Sequence, residues 1–383
     1  MRLLTLLRKI KRIITGYSYQ PSIEILISRK NLLDNLQEYK KNYSNLSFAP
    51  VLKSNAYGHG LVKVAQILDK ENISFFALDS LPEAMTLRQA GIKSAILIIG
   101  FSSSQNIRDS KLSDLSFAIT SLEQLQELNK IISSPVKIHL KIDTGMHRQG
   151  LMLNQVESAI NIIKANKFLI LEGIFSHLAD ADNTEQNYSK SQLSEWKKIV
   201  TFFKSNFSTI KYIHILASAG MNYYNQAEGN VARLGIGLYG INVSPLRKLN
   251  LQPALQMQSI VSSLKDLTAG EKVGYNVTYQ LPQATTIATV PVGYFEGVDR
   301  RLSNQGYFKI NDNYCPIVGR ISMNITSIDV GDVPGLKLGD KVTIISSCPE
   351  DKNSVVNIAK LTQTIPWEVL IHIPQHLRRT VVN

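Results

Sequence analysis

The sequence predicts an α/β fold: a (β/α)8 TIM-like barrel followed by a mostly β C-terminal domain. Three observations carry that expectation. The chain has 383 residues, long for one domain. Short apolar runs alternate with longer amphipathic stretches from about residue 20 to 245, as expected of βα units around a parallel sheet. After Pro253 the texture changes to short strand-like runs broken by Gly, Asp and Asn.

Eight apolar runs can be traced in order. They are FAPVLK ending at Lys53, SFFALD ending at Asp79, AILIIG ending at Gly100 and LSFAIT ending at Thr120. VKIHLKID ending at Asp143, LILEGIFSH ending at His177, YIHILAS ending at Ser218 and VARLGI ending at Ile236 complete the set. Eight is the number that closes such a barrel. Between them the spacing predicts helices over Leu61 to Leu68, Pro82 to Gln89 with proline at its start, Leu122 to Ile131 and Leu193 to Phe203. An earlier strand, SIEILI, is expected in the second domain or on the barrel floor. The later runs VGYNVTY, ATTIATVPVGY, YCPIVGRISMNITSIDVGD and KVTIIS predict a small β barrel or sandwich. The expected division is a basic extension over 1–20, a barrel over 21–248 and a β domain over 249–383.

Composition narrows the function. Cys315 and Cys348 are the two cysteines, without CxxC or metal-ligand spacing, so a disulfide framework or zinc site is not expected and a reducing cytoplasm fits. No apolar stretch reaches the roughly 18 residues needed to span a bilayer. The net charge of +12 is partly local, because Arg2, Arg8, Lys9, Lys11 and Arg12 crowd the first twelve positions. Nucleic acid is therefore not the expected partner. Leu3, Leu6, Leu7, Ile10, Ile13 and Ile14 fall near helical spacing among those charges, so residues 1–14 could make weak contact with an anionic membrane surface. A secretory signal is not expected, since charges interrupt the apolar core and no small-residue cleavage site follows.

The chemistry is concentrated in VLKSNAYGHG, from Val51 to Gly60. A lysine at a strand end, with Tyr57, Gly58, His59 and Gly60 behind it, suits an amine meant to form a Schiff base with a carbonyl compound such as pyridoxal phosphate. A lone strand-capping lysine would be the plainer reading. Its company matters: Lys141, Arg148, His177, Ser218 and Arg233 also fall at or near the carboxyl ends of the proposed strands, where barrels place active sites. Singly, Arg148 reads as a surface charge, His177 as a core histidine and Ser218 as a helix N-cap. Ser218-Ala219-Gly220 and the small residues of RLGIG would also suit a phosphate beside strands seven and eight.

These motifs resemble the alanine racemase family over almost the whole chain after the first twenty residues. The resemblance rests on VLKSNAYGHG, LKIDTGMHRQG, FSHLADAD, LASAG, RLGIGLYG, VGYNVTY, VPVGYFEG and VGRISMN, in the family's order. It implies pyridoxal 5'-phosphate on Lys53, with Lys53 as the base on one face of the substrate's α-carbon. Tyr275 would serve the opposite face from the partner subunit of a head-to-tail homodimer. It further implies that Arg233 faces the pyridine nitrogen, that His177 braces Arg233, and that Tyr57, Ser218, Gly235 and Ile236 bind the phosphate. Arg148, Lys141, Met323 and Tyr294 would meet or organise the amino acid substrate, with Lys141 carbamylated in many members.

Three departures from the family pattern stand out. Trp367 replaces a tyrosine that helps hold the phosphate, and an indole donates a hydrogen bond without accepting one. Asn324 replaces a common aspartate, and VGYFEGVDRR lacks the usual glycine-proline-arginine ending. Serine or broad specificity in a racemase of the same build stays open, because one methyl or hydroxyl is worth only a few kcal/mol in a pocket. So does a non-catalytic cofactor-binding paralogue, whereas Arg233 and Tyr275 argue against a barrel-type decarboxylase.

Overall fold

In the computed structural model, residues 20–244 and 246–383 are described. The basic N-terminal extension and the membrane contact expected of residues 1–14 lie outside the described residues.

Strand β1 (Glu24–Ser28) precedes the barrel, and each of the eight apolar runs contains a barrel strand. These are β2 (Ser47–Pro50), β3 (Phe76–Leu78), β4 (Ile96–Ile98), β5 (Leu115–Ile119), β6 (Val136–Lys141), β7 (Leu169–Phe175), β8 (Tyr212–His214) and β9 (Val231–Leu234). Strands β3 to β8 form one parallel sheet in chain order, and β2 pairs in parallel with β9. Bridges from Val51 to Ala77 and from Ala217 to Arg233 join the two pieces into a ring. Such strands are buried on both faces, which is why they read as continuous apolar runs.

The helices Leu61–Leu68 and Leu122–Ile131 lie where the spacing predicts, and the second helix starts one residue early at Leu81. The fourth is longer than expected, Asn187–Asn206. Its first turns bury Ser189 and Gln192, which continue the inward face set by Leu193, Trp196, Val200 and Phe203 but are polar, so apolar spacing misses them. Among the described residues no helix is long and apolar enough to cross a membrane.

The remaining strands are β10 (Leu255–Ile260), β11 (Ser263–Leu267), β12 (Lys272–Val273), β13 (Tyr279–Gln280), β14 (Thr285–Val290), β15 (Tyr307–Ile310), β16 (Asn313–Pro316), β17 (Thr326–Asp329), β18 (Lys341–Ile345) and β19 (Arg378–Val382). A six-stranded sheet runs β16-β15-β18-β10-β1-β19, and a three-stranded one β11-β14-β17. The early strand SIEILI therefore belongs to this β architecture. The chain divides into two compact units. The β unit contains Met257–Ile344 and His376–Thr380 with the described residues up to Ile25, and the barrel unit contains Leu26–Gln256, Ile345–Gln375 and Val381–Asn383. The short helices Val355–Leu361 and Pro366–Ile371 thus pack with the barrel.

The chain leaves β2 through an unusual turn. Ser54, Asn55, Ala56 and Tyr57 have φ of 55°, 56°, 52° and 51°, a left-handed turn of four residues, none of them glycine. Such backbone costs roughly 1–2 kcal/mol per residue. It is held by its surroundings: Ala56 N–H donates to Leu52 O at 2.8 Å, Ser54 N–H to Glu83 Oε1 at 2.7 Å, and Leu61 N–H to Asn55 Oδ1 at 2.9 Å. Gly58, at φ 80°, ends the turn where a Cβ would collide with the Leu370 carbonyl. Gly58→Ala should therefore lower the unfolding free energy by about 3 kcal/mol. Urea unfolding followed by circular dichroism measures this, and an unchanged midpoint would refute the close approach.

Candidate active site

A cavity of about 680 Å³ opens at the carboxyl ends of the barrel strands and includes Lys53, Tyr57, Lys141, Arg148, His177, Ser218, Arg233, Gly235, Ile236 and Trp367 in its wall. Every site residue expected in the barrel unit, together with Trp367, is thus brought to one place. Lys53 begins the left-handed turn, so its backbone is fixed by the contacts of Ser54, Asn55 and Ala56. Trp367 reaches the cavity because its helix, Pro366–Ile371, lies against Gly58 through Leu370.

Arg233 is buried at 4 % exposure and hydrogen-bonded on several sides. Its NH1 donates to His214 Nδ1 at 2.6 Å and His214 O at 3.0 Å, and its NH2 to Ser176 O at 2.8 Å and His177 Nδ1 at 3.0 Å. Phe175 presents its ring 5.4 Å from the guanidinium carbon. Burial lowers the Arg233 pKa to about 10, which still leaves it charged at neutrality. Burial, followed by the charge of Arg233, pushes His177 down to about 3. His177 is therefore a neutral acceptor for Arg233. The bracing contact expected of His177 is present in the geometry.

Ser218 does not cap a helix with its side chain. Its Oγ instead accepts from Gly235 N–H at 3.1 Å and Gly237 N–H at 3.2 Å, tying the loop after β8 to the loop after β9. The Tyr57 hydroxyl lies so close to Gly235 that a Cβ there would sit 2.7 Å from it. Burial raises the Tyr57 pKa to about 12 against the opposing charge of Arg233, so the phenol keeps its proton as a donor. Small backbone residues, a serine hydroxyl and a neutral phenol make a cradle suited to a phosphate.

Lys141 ends β6 and is 6 % exposed. Burial, then the charges of Arg148 and Arg233, lower its amine to about 8. Arg148 rides a tight excursion: Asp143 Oδ1 accepts the N–H groups of Gly145, Met146 and His147 at 2.8, 2.9 and 3.1 Å, and Leu151 N–H returns to Lys141 O at 2.8 Å. Four cationic side chains therefore share one enclosure, Lys53, Lys141, Arg148 and Arg233, which suits an anionic occupant. Among the described residues no group of three or more His, Cys, Asp or Glu could hold a metal ion.

Tyr275, Tyr294 and Met323 lie in the β unit on three loops that converge. Gly274 and Gly319 have φ of 77° and 75° and approach so closely that side chains there would meet the opposite backbone, which docks the Tyr275 loop on the loop of Arg320. Tyr294 N–H donates to Ser322 O at 3.1 Å and Phe295 N–H to Met323 O at 2.9 Å. Tyr275, Tyr294 and Met323 are exposed, at 68 %, 43 % and 55 %. Asn324 is not a lost charge: its Nδ2 donates to Glu296 Oε1 at 2.6 Å, while Glu296 Oε2 accepts Gly293 N–H at 2.8 Å.

Sequence reasoning missed His139, Glu172 and His214, which are buried or half-buried near Arg233. The signal was a polar residue inside each of three apolar runs, VKIHLKID, LILEGIFSH and YIHILAS.

Comparison with known proteins agrees along both units. Residues 27–243 match the profile of the alanine racemase N-terminal domain, and residues 254–381 that of the alanine racemase C-terminal domain. Alanine racemase 1 of Caldanaerobacter subterraneus subsp. tengcongensis is 35% identical over 352 residues, covering 90% of this chain and 91% of that protein. The alanine racemase of Fusobacterium nucleatum is 35% identical over 94% of this chain and 99% of its own length. Among solved structures, the alanine racemase of Clostridium difficile 630 superposes with a TM-score of 0.88 at 30% identity, covering 95% of this chain and 97% of that one. That of Bacillus anthracis with bound L-Ala-P gives 0.87 at 29% identity, covering 96% of each chain.

Two outcomes follow from the electrostatics. A histidine whose folded pKa lies below its unfolded value binds protons more readily in the unfolded chain, so stability falls as pH drops through about 6.5. His177, His139 and His214 are all lowered, chiefly by burial, so calorimetry should show the unfolding temperature falling between about pH 7 and pH 5, before ordinary carboxylates titrate. A flat profile there would contradict three neutral buried imidazoles. Asn324→Asp should set a second carboxylate against Glu296 and lower the neutral-pH unfolding temperature by a few degrees, with recovery on acidification when one carboxyl is protonated. An equal loss at acid pH would show that charge is not the cause.

Proposed function

The chain belongs to the alanine racemase family, and we propose that it interconverts L-alanine and D-alanine with pyridoxal 5'-phosphate held on Lys53. It is an isomerase, an amino acid racemase. The observation that carries the site assignment is the shared cavity of Lys53, Arg233, Ser218, Gly235 and Ile236, where a strand-end amine, a guanidinium, a serine hydroxyl and a glycine-bearing loop lie together. Serine or broad specificity, or a non-catalytic paralogue, is not favoured beside relatives that are alanine racemases across nearly their whole length.

When bound, the cofactor supplies an electron-withdrawing ring that makes the α-hydrogen of an amino acid removable. The chain's residues supply the rest. Arg233 faces the pyridine nitrogen in this reading; because arginine does not give up its proton, it leaves that nitrogen unprotonated and keeps the ring a weaker electron sink. This restrains side reactions such as transamination. Ser218, Gly235, Ile236 and Tyr57 bind the phosphate, with Trp367 offering an indole N–H where relatives of this pattern have a phenol.

Racemisation removes a proton from one face of the α-carbon and returns one to the other, which two bases serve better than one. Lys53 takes the first role and Tyr275 of a second copy of the chain the other. The exposure of Tyr275, Val277, Tyr294, Phe295, Met323 and Ile325 on the β unit supports a head-to-tail homodimer that covers them, since an uncovered phenol would exchange its proton with bulk water. Met323 and Tyr294 would then meet the substrate beside Arg148. Lys141 is read as carbamylated: with its amine at about 8, a neutral fraction can attack carbon dioxide, and the product would replace a like-charge neighbour of Arg148 by an ion pair. We read residues 21–248 as the cofactor domain, to which the 345–375 segment adds the Trp367 helix, and 249–383 as the part of the chain that carries the second base. A cytoplasmic source of D-alanine for peptidoglycan fits this role.

Initial rates with L-alanine and L-serine side by side, with Lys53→Ala as the blank, test the proposal. Alanine should be turned over faster, the blank should lose both turnover and the cofactor's visible absorbance, and Tyr275→Phe should lose about 10³-fold in rate. Cofactor absorbance without turnover in the wild type would instead indicate a carrier.

A further inference from the structure

Three barrel strands contribute polar side chains that the mechanism above leaves unused. His214 Nε2 lies 2.9 Å from His139 Nδ1, and His139 Nε2 lies 3.5 Å from Glu172 Oε2. Glu172 Oε2 accepts the Ser116 hydroxyl at 2.5 Å, while Oε1 has Lys137 Nζ at 3.6 Å and Lys211 Nζ at 3.8 Å. Both lysines are partly exposed, Glu172 is 12 % exposed at its side chain, and both imidazoles are fully buried. A polar line therefore runs from a largely buried carboxylate, with two lysines on its outer side, to Arg233 at the cavity.

The backbone is built around this line. The β6–β7 register passes from Ile138 opposite Leu171 to His139 opposite Gly173, so Glu172 is the extra residue of a bulge, a device that re-aims a side chain. At Gly173 a Cβ would lie 2.6 Å from His139 Nδ1 and 2.8 Å from Tyr212 O, so any larger residue would displace the ring.

The direction of the hydrogens follows from chemistry. Arginine has donors only, so His214 Nδ1 must be bare, and the proton of a neutral ring then sits on Nε2. That N–H donates to His139 Nδ1, which places the His139 proton on Nε2, where it faces Glu172 Oε2 across 3.5 Å, outside hydrogen-bond geometry but with no other acceptor in reach among the described residues. A protonated imidazole at either position would put donor against donor. Buried neutral rings are favoured here in any case: burial lowers both, with Arg233 and His139 facing His214, and Glu172, Arg233 and Lys211 facing His139. Burial works against ionised Glu172, but His139, Ser116 and Lys137 outweigh it and hold its carboxyl at about 2.

We propose that Glu172 is a positioning residue for Arg233, acting through His139 and His214 by fixing both as neutral Nε2–H tautomers, so that one lone pair always meets the guanidinium. Glu172 gives the buried arginine a remote negative counterpart and a fixed hydrogen-bond partner. This rests on the reading that Arg233 faces the cofactor's ring nitrogen.

The test uses holoenzyme selectively labelled with ¹⁵N-histidine, His139 and His214 being assigned from single substitutions. Both rings should appear as neutral Nε2–H tautomers at neutral pH. Glu172→Gln offers an amide N–H to His139, so the line can reverse at the expense of the Arg233–His214 contact. It should convert at least one ring to Nδ1–H or to exchange between tautomers, shift the cofactor's visible band, and lower kcat about tenfold with KM within about threefold. Lys211→Met, a change at the solvated end, should leave the tautomers in place. A wild-type imidazolium or Nδ1–H ring at either position overturns the proposal even if Glu172→Gln fails to fold. Unchanged tautomers, spectrum and kcat in a folded Glu172→Gln protein overturn it as well. If wild-type protein neither binds cofactor nor racemises alanine, it is the functional reading that fails, while the tautomers remain measurable.

Discussion

A charged guanidinium inside the barrel is the constraint around which this site is organised. Taking such a group out of water costs several kcal/mol unless its donors are met, and Arg233 meets that cost with two backbone carbonyls and two imidazole nitrogens at 3.0 Å or less. The consequence spreads outward. Because arginine only donates, its neighbours must accept, which requires His177 and His214 to be neutral and forbids a further cation in contact. The same positive charge disfavours protonation of His177 and contributes to the lowered amine of Lys141. One residue in β9 thus adds to the effect of burial on groups at the ends of β6 and β7 and on β8.

The second constraint is steric. Lys53 is placed by a backbone that L-residues avoid, and the strain can persist only because surrounding groups over-determine it. Glu83 holds the Ser54 amide and, through its other oxygen, the Asp79 amide at 2.8 Å, so one carboxylate clamps the exits of β2 and β3. Gly58 admits the helix that carries Trp367. Rigid placement of the amine and docking of the indole therefore share one turn, and change at either is felt by the other.

The eight strands were legible because parallel strands buried on both faces leave largely apolar runs. The residues of the cavity were legible as types at strand ends, together with the resemblance that gave them roles. The left-handed turn was not: Asn55 and Gly58 tolerate positive φ, but Ser54, Ala56 and Tyr57 carry no such mark, and their conformation comes from Glu83, Leu52 and Leu370, distant contacts that local sequence does not specify. For Ser218 it is the plainer reading, a helix N-cap, that the structure does not bear out. Its hydroxyl has the right position to cap Ala219–Tyr223, yet two glycine amides from the neighbouring strand's loop capture it, a competition decided by tertiary geometry. In the polar line His139 and His214 each pass for ordinary core histidines, and only the pairing of Gly173 with His139 across two strands reveals the design.

The change at Asn324 shows why a departure from a family pattern has to be judged with its neighbour. Taken alone, amide for carboxylate removes a negative charge beside the Met323 loop. In this chain Glu296 is 7 % exposed and directs one oxygen to Gly293 N–H and the other to Asn324 Nδ2. A carboxylate at 324 would face that oxygen at hydrogen-bond distance, with repulsion where there is now a donor. Glu296, in the VGYFEGVDRR segment, places an acceptor carboxyl at this corner, and the Asn324 amide is the donor that pairs with it. Because Glu296 also fixes the start of the Tyr294 turn, Glu296 and Asn324 together keep the Tyr294 and Met323 loops joined. The Asn324–Glu296 pair preserves the loop scaffold, and it gives no reason to expect a different reaction.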